Sequence, residues 1–242
     1  TLRDLIRAKM DEIVVHTCML LDGSEMNLPE ERKKWGMKTK FRVLQRDFAE
    51  LSSGKKVIEY EEVVVSSNTM TFEEYIDLRN LAFIIFVTNQ GIVFDAVQKL
   101  LREQDIDVFE LYYIMLTNRE NSSENTQKVI EQFQQATINE LWDSPRELLE
   151  NFQKDSEYKK LLNGEAGTNV LYHYKAVVIS EYMDDWTEHV IESAHTVIKN
   201  SNNYNDELEK QFETVANYCR GLSHNVLGQD RLDTNPEYEF EY

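Results

Sequence analysis

Glycine, proline and cysteine are scarce in this sequence of 242 residues, which contains eight, three and two of them. An all-β protein needs many turns rich in glycine and proline, so this scarcity disfavours an all-β fold and favours long helices. Apolar residues nevertheless make up 41% of the chain, which is enough to build a core and argues against global disorder. The length corresponds to one large domain or two small ones.

The two cysteines, Cys18 and Cys219, lie far apart and belong to no CxxC or CxxxCxxC pattern. The sequence therefore has no thiolate set for an iron–sulfur cluster or a structural zinc. We expect each cysteine to be a small buried apolar residue, and the low count predicts a reducing, cytoplasmic location. The longest apolar run, residues 81–87, is far shorter than the roughly 20 residues of a membrane helix, so we predict no membrane span.

Basic residues are few beside the acidic ones. The chain has 26 lysines and arginines against 44 aspartates and glutamates, which gives a net charge of −18. Such a surface repels a phosphate backbone, so the sequence predicts no nucleic-acid partner. One basic segment interrupts this acidity between residues 32 and 46. Charge runs are usually solvated, and we interpret this one as the exposed side of a helix and a strand edge.

The first third of the chain alternates between short helical and extended patterns. Residues 1–12 have helical apolar spacing, whereas residues 13–21 form a nearly continuous apolar run. That run predicts a strand buried on both faces, as in a parallel sheet. Proline at position 29 and glycine at position 36 bracket a short predicted helix. Residues 39–46 and 56–65 are predicted to pair as a β-hairpin.

Helical patterns dominate from residue 71 onwards. Capping boxes at Thr71 and Ser144 mark two helix starts. About seven helices are predicted: 71–88, 92–103, 106–118, 126–141, one after Ser144, 168–199 and 206–226. The predicted fold class is therefore mainly α, a multi-helix array with a small β portion near the N-terminus. We divide the chain into residues 1–67 with the hairpin, a helical domain at 68–230 and an acidic tail at 231–242.

One group of side chains has the spacing of metal ligands. Glu192 and His195 are three residues apart on a predicted helix, and Glu188 lies four residues before Glu192. Di-iron bundles use two such glutamate–histidine pairs with two further glutamates from other helices, whereas we find one pair here. We interpret the group as a solvated acidic face, with a metal site at these three residues as the alternative.

No other catalytic pattern emerges from the sequence. Neither a GxxxxGK[ST] or GxGxxG phosphate loop nor a GxSxG nucleophile elbow occurs. Alternation along the apolar run places His16 and Cys18 on one face of the predicted strand. A histidine and a cysteine on one face could contact a ligand, but no further ligand accompanies them. We therefore expect both to be buried.

Two stretches of the chain carry a family resemblance. They are MLLDGSEMNLPEERKKWGMKTKFRVLQRDF at 19–48 and VIEYEEVVVSSNTMTFEEYIDLRNLAF at 57–83. They resemble the portion just beyond the catalytic barrel of cobalamin-binding-type radical SAM enzymes, the B12-binding Fe–S oxidoreductases. The resemblance covers roughly residues 13–87, about a third of the chain, and the helical remainder matches no motif of that family.

The order of the motifs is similar as well. In that family the last barrel strand runs into a turn similar to LLDGSEM at 20–26, and a basic linker similar to residues 32–48 follows. A strand similar to EEVVV at 61–65 and a helix start similar to NTMTFEEY at 68–75 come next. The family's cluster motif CxxxCxxC and the cobalamin motif DxHxxG are absent from this sequence. No catalytic or cofactor residue can therefore be carried onto this chain.

The resemblance implies a context for the chain. Residues 1–67 would contain the remnant of the barrel end and a linker, and the rest would be a non-catalytic C-terminal helical domain. Such a domain caps its own N-terminal barrel, handles substrate or binds a protein partner. The parent would use a [4Fe–4S] cluster and S-adenosylmethionine, with cobalamin as a further candidate. This chain by itself would hold no cofactor and would not be an enzyme, and its helix-like first residues suggest a piece of a longer protein.

The same context gives the basic segment a second interpretation. In the intact enzyme, Lys38, Lys40 and Arg42 would be the contact to an anionic substrate group. We also expect the severed strand at 13–21 either to pair with the 39–46 and 56–65 strands or to join a second molecule as a homodimer. The rival hypothesis is a stand-alone acidic helical module that binds other proteins.

Overall fold

The structure is a computed structural model that describes residues 2–10, 13–89, 92–224 and 226. Within these residues the chain forms eleven α-helices and one two-stranded antiparallel sheet. The predicted fold class, mainly α with a small β portion near the N-terminus, is confirmed. The helices are α1 (Leu2–Arg7), α2 (Pro29–Trp35), α3 (Phe72–Thr88), α4 (Asp95–Glu103), α5 (Val108–Thr117), α6 (Glu124–Asn139), α7 (Pro145–Phe152), α8 (Asp155–Leu162), α9 (Val170–Glu181), α10 (Met183–Lys199) and α11 (Asp206–His224), and the strands are β1 (Lys38–Glu50) and β2 (Lys56–Ser66).

The chain divides into two compact units. The first unit is drawn from the described residues of Thr1–Val14, Asn80–Glu131 and Tyr174–Tyr242, and the second from Val15–Arg79 and Gln132–His173. Each unit thus combines separated segments, whereas the sequence-based division at 67/68 and 230/231 follows chain order. The proposed acidic tail at 231–242 lies outside the described residues. No described helix is long and apolar enough to cross a membrane.

The predicted hairpin is confirmed and is longer than expected. Strands β1 and β2 pair antiparallel, and a tight turn joins them, with the Leu51 N–H donating to the Lys55 carbonyl at 2.9 Å. The register shifts between Val43 and Phe48, so β1 contains a bulge. Within the bulge, Arg46 adopts a φ of +59°. Beyond the bulge, half-buried Phe48 packs against the same core cluster as Val43, and the strand continues past its predicted end to Glu50.

The apolar run at 13–21 does not form the predicted strand. It meets β2 at a single antiparallel bridge between Met19 and Val63. Leu20 N–H donates to the Glu62 carbonyl and Val64 N–H to the Cys18 carbonyl, each at 2.9 Å. Of the two predicted pairing partners, the run contacts the 56–65 strand at this one bridge, whereas the predicted burial of both faces is wrong. Burial of both faces needs covering layers on both sides of a sheet, and here the run lies at the edge of a two-stranded hairpin.

The core of the second unit packs against both faces of the hairpin. On one face, Val63 and Val65 of β2 pack with Tyr75 and Ile76 of α3. On the other face, Val43 and Ile58 pack with four buried residues of α7 and α8: Leu148, Phe152, Tyr158 and Leu161. Each such side chain contributes roughly 1.5–3 kcal/mol when fully buried. This packing fixes the hairpin and therefore the elements attached to it.

Local capping signals are confirmed. Thr71 Oγ1 accepts from the Glu74 N–H at 3.1 Å, and Glu74 Oε2 accepts in return from the Thr71 N–H at 2.7 Å. Ser144 Oγ accepts from the Glu147 N–H at 3.2 Å and begins α7 with Pro145 in its first turn. The bonds at Thr71 are reciprocal, as in a full capping box, whereas Ser144 makes the serine half of the box alone; both satisfy donors that the helix itself leaves free.

The number of helices after residue 71 differs from the prediction. In the described part of residues 71–226 there are nine α-helices, α3 to α11, where about seven were expected. The predicted single helix at 168–199 is two helices, α9 and α10, with Tyr182 between them at φ −129° and ψ 19°. No glycine or proline marks this break, and the apolar pattern continues across it, so periodicity alone could not locate it. The segment after Ser144 likewise contains two helices, α7 and α8.

The core of the first unit includes several buried polar groups, among them Trp186, His189 and Cys219. The indole Nε1 of Trp186 donates to Thr88 Oγ1 at 3.1 Å. His189 Nε2 lies 3.0 Å from the Met115 carbonyl, and burial lowers the pKa of this imidazole. Cys219 is buried, as expected, and burial raises the pKa of its thiol to about 12. These groups are therefore neutral parts of the core.

Candidate functional site

An open cleft of about 740 Å³ lies in the second unit. Residues of the 13–21 run, the short turn before α2, α2 itself and the end of β2 line it. Five of its lining residues are large and apolar, three are glutamates, and the remaining two are a thiol and a hydroxyl. In that order they are Met26, Leu28, Trp35, Met37 and Val64, then Glu25, Glu30 and Glu31, then Cys18 and Ser67.

The sequence fixes the wall formed by α2 through its two ends. Pro29 begins the helix, and Gly36 ends it at a φ of +58°, a conformation that glycine adopts without strain. A Cβ at Gly36 would lie 2.0 Å from Asn68 Oδ1, so the position also requires the absence of a side chain. Asn68 holds the helix end with two bonds, from its N–H to the Trp35 carbonyl at 2.9 Å and from its Nδ2 to the Lys34 carbonyl at 3.0 Å.

Trp35 forms part of the cleft wall, and Glu31 orients its ring. The indole Nε1 donates to Glu31 Oε2 at 2.9 Å, and Lys34 Nζ donates to both Glu31 oxygens at 3.0 Å. The same ammonium lies 5.1 Å from the centroid of the Trp35 ring. The hydrogen bond from Lys34, followed by that from Trp35, lowers the pKa of Glu31, so this carboxylate is charged at neutral pH.

The lining also contains two sulfur atoms, those of Cys18 and Met26. Cys18 Sγ lies 3.3 Å from Met26 Sδ, and Met26 is 47% exposed. Cys18 is exposed, so the expectation that it would be buried is wrong. His16 is also exposed and is not among the cleft-lining residues, so its expected burial is wrong as well. Both errors follow from the missing second layer over the 13–21 run.

The residues proposed as an anion contact have acidic neighbours. Arg42 is buried and donates to Glu61, to Glu140 Oε1 at 2.9 Å and to Thr17 Oγ1 at 2.9 Å. Burial acts to lower the pKa of Arg42, but the charges of Glu140 and Glu61 outweigh it and raise that pKa.

Lys40 lies two residues before Arg42 on the same strand. Its Nζ pairs with Asp143 Oδ1 at 2.5 Å, whereas Lys38 at the start of β1 is exposed. Two of the three candidate cations, Lys40 and Arg42, are thus already engaged by carboxylates.

The guanidinium of Arg42 belongs to a larger buried polar cluster. Arg79 is 8% exposed, and its guanidinium carbon lies 5.9 Å from the centroid of the Phe133 ring. Among the described residues, neither Arg79 Nε nor Tyr75 Oη has a hydrogen-bond partner. Burial raises the pKa of Glu140 and of Tyr75 and lowers that of Arg79. The two arginines and two glutamates balance in charge, and the cluster ties the hairpin to α3 and the end of α6.

The three residues of the alternative metal site, Glu188, Glu192 and His195, have other partners or face solvent in the structure. Glu188 accepts from Arg220 through both oxygens at 2.6 and 2.7 Å. His195 Nε2 lies 2.8 Å from Glu209 Oε1, and Glu192 is exposed. Across the part of the chain that the structure describes, no group of three or more histidine, cysteine or acidic side chains is placed to hold a metal ion.

Comparison with known proteins finds no family model and no curated protein that matches this chain. The resemblance to cobalamin-binding-type radical SAM enzymes therefore stays a prediction.

The cleft itself was not predicted from the sequence. Its apolar members, such as Met26 and Leu28, come from a segment that reads as a loop and a short surface helix. One local signal was available, since Glu31 and Trp35 are four residues apart on a predicted helix and therefore share a face.

Proposed function

We propose that this protein is a non-catalytic binding module whose cleft docks a cationic and apolar segment of a partner protein. The observation that carries the proposal is the open cleft of about 740 Å³ whose apolar wall is edged by three glutamates. Trp35 and Met26 are 48% and 47% exposed there. Exposed apolar surface edged by polar groups is typical of interaction sites.

Charge complementarity decides the chemistry of the partner. The described residues that line the cleft include Glu25, Glu30 and Glu31 and no lysine or arginine. A net charge of −18 adds a long-range field that attracts cations and repels a second copy of the same chain. Tryptophan and methionine favour apolar contacts at interfaces, and methionine adapts its shape to different partners. A segment that carries a lysine between apolar residues complements both the negative charge and the apolar surface of the cleft.

A defined peptide tests the proposal. We expect an acetylated and amidated peptide with one central lysine between leucines to bind in the micromolar to millimolar range in calorimetry. The same peptide with a central glutamate should bind at least tenfold more weakly. Replacing Glu25 and Glu30 together by glutamine should weaken the lysine peptide, because it removes two of the three carboxylates. The matched control replaces Glu50 and Glu59 together by glutamine, which removes two exposed carboxylates outside the cleft lining. Equal affinity for the lysine and glutamate peptides would refute the proposal.

A second candidate function keeps the family resemblance. The hairpin and the Thr71 capping box lie where that resemblance has its EEVVV strand and helix start, which favours it. The chain would then be the C-terminal domain of a cytoplasmic radical SAM Fe–S oxidoreductase, and its partner would be the parent's own barrel. Lys38, Lys40 and Arg42 would belong to substrate handling in that parent.

The longer parent chain tests the second candidate. It should carry a CxxxCxxC motif upstream and, after anaerobic reconstitution with iron and sulfide, cleave S-adenosylmethionine. Deletion of residues 68–242 should spare this cleavage and abolish product formation from the native substrate. A parent without a cluster or cleavage activity would eliminate this candidate.

A further inference from the structure

We infer that Trp35 and Glu31, which both line the cleft, form an ammonium subsite at its edge, which takes a lysine side chain of the partner in place of Lys34. This inference rests on the proposed docking function and specifies which group of the partner is recognised. It concerns α2, where an aromatic ring and a carboxylate four residues apart are joined by a hydrogen bond.

The subsite already surrounds an ammonium group. Lys34 Nζ lies 3.0 Å from both oxygens of Glu31 and 5.1 Å from the Trp35 ring centroid. A cation within about 6 Å of a tryptophan ring is attracted by the negative face of the ring. The carboxylate adds a charge-assisted hydrogen bond. The two recognition elements for an alkylammonium are therefore built and occupied by a residue of the chain itself.

The ring and the carboxylate are organised before any partner arrives. Trp35 is held through its indole Nε1 by Glu31 and through its carbonyl by the Asn68 N–H. Because Gly36 brings the chain directly against Asn68, the end of α2 has little freedom to move. A subsite that is ordered in advance loses little entropy on binding, which favours recognition.

Lys34 is a replaceable occupant. Its side chain is 58% exposed, and its pair with Glu31 is a surface pair within one helix. Exposed pairs of this kind contribute little to stability. Met26, Leu28 and Met37 line the same cleft as Glu31 and Trp35, so they offer apolar surface to the residues that flank the partner's lysine. The partner segment thus gains apolar contacts that Lys34 does not make.

Lysine fits this subsite better than arginine. Glu31 Oε2 already accepts from the Trp35 indole, so a guanidinium fork would have to share that oxygen. An ammonium is a compact charge and does not need two free oxygens in one plane. We therefore expect the partner to present lysine.

Three peptides and four variants test the inference. The peptides share apolar flanks and carry lysine, arginine or the uncharged norleucine at the centre, and affinity is measured by calorimetry. The lysine peptide should bind the wild-type protein about two- to fivefold more tightly than the norleucine peptide, the range expected of an exposed cation–π contact. Trp35→Leu should abolish this preference, and Trp35→Phe should retain part of it.

Lys34→Ala gives the most specific readout. Removing the resident ammonium should tighten binding of the lysine peptide about two- to threefold and leave the norleucine peptide unchanged. The matched control is Lys33→Ala, which removes the same charge from the neighbouring exposed position. If both variants tighten binding of the lysine peptide equally, the change in net charge explains the effect and the subsite is overturned.

The outcomes separate the inference from the proposed function. If the lysine and norleucine peptides bind the wild-type protein equally well and the glutamate peptide does not, the docking function stands and the subsite falls. If none of these peptides binds, the docking function falls and the subsite with it. If the arginine peptide binds more tightly than the lysine peptide, the stated preference for an ammonium is wrong. Circular dichroism of each variant confirms that the fold is retained.

Discussion

Replacing Arg42 by methionine should destabilise the second unit by about 3–5 kcal/mol, the usual cost of removing one partner from a buried ion pair. The structure accounts for this magnitude. Arg42 donates to the carboxylates of Glu61 and Glu140, whose side chains are 10% and 17% exposed, and to Thr17. Methionine fills much of the volume but bonds none of these acceptors. Two poorly solvated carboxylates then remain close together without a cation between them.

The loss should depend on pH in a defined direction. Without Arg42, protonation of Glu140 would reduce the repulsion between the two carboxylates most easily. Burial already raises the pKa of Glu140 in the wild-type protein. The free energy of unfolding lost by Arg42→Met should therefore be larger at pH 8 than at pH 5. Urea denaturation, followed by circular dichroism and by tryptophan fluorescence, measures it at both values. Because the chain has two compact units, the curves are fitted with an intermediate where the two probes disagree.

A matched triple variant separates charge from packing. Arg42→Met combined with Glu61→Gln and Glu140→Gln removes the cation and both anions together. Replacing a whole buried ion group by neutral residues is often close to neutral in free energy, so the triple variant should recover most of the lost stability. A single variant that loses less than about 1 kcal/mol at pH 8, or a triple variant no more stable than the single, would refute the charge-balance argument.

Three further perturbations follow from single contacts. Gly36→Ala should lower the free energy of unfolding by at least about 1–2 kcal/mol, because the new Cβ would lie 2.0 Å from Asn68 Oδ1 and the backbone has a positive φ. An unchanged midpoint in a urea titration would contradict this prediction. Ser144→Ala should lower the free energy of unfolding by about 1 kcal/mol, because it removes the acceptor of the Glu147 N–H. The control is Ser144→Thr, which retains a hydroxyl acceptor. Equal losses in the two variants would contradict the role of Ser144 as a helix cap. Burial raises the folded-state pKa of Glu140 above its ordinary 4.5. The stability that protonated Glu140 contributes is therefore complete below pH 4.5 and is lost as the pH rises through the raised pKa. Glu140→Gln should remove this decline from the pH profile of the free energy of unfolding, and an unchanged profile would contradict the argument.

Local chemistry explains what the sequence predicted correctly. The capping boxes at Thr71 and Ser144 depend on residues three apart, and the hairpin depends on alternation within two neighbouring segments. The short helix between Pro29 and Gly36 follows from the backbone preferences of those two residues. Each of these signals acts within a few residues and needs no knowledge of the rest of the chain.

Tertiary context explains what could not be predicted. The run at 13–21 is apolar enough for a buried strand, but its burial depends on layers that lie elsewhere in the sequence, and Met19 finds a single bridge instead. Arg42 belongs to a basic run whose pattern predicts a solvated surface. In the structure it is buried and pairs with Glu140, which lies almost a hundred residues away in the sequence. The cleft combines residues from four short elements, and no single stretch contains its pattern.

The measurement that tests docking most directly is a titration of the isotope-labelled protein with the lysine peptide, followed by two-dimensional amide and indole NMR. The account predicts that the shifts concentrate at the cleft, in the Trp35 indole and in the backbone of residues 25–31 and 64–67. It also predicts that residues around the Glu188–Arg220 pair, in the first unit, stay unchanged. Shifts spread evenly over the acidic surface, or confined to that pair, would contradict the assignment of the cleft as the docking site.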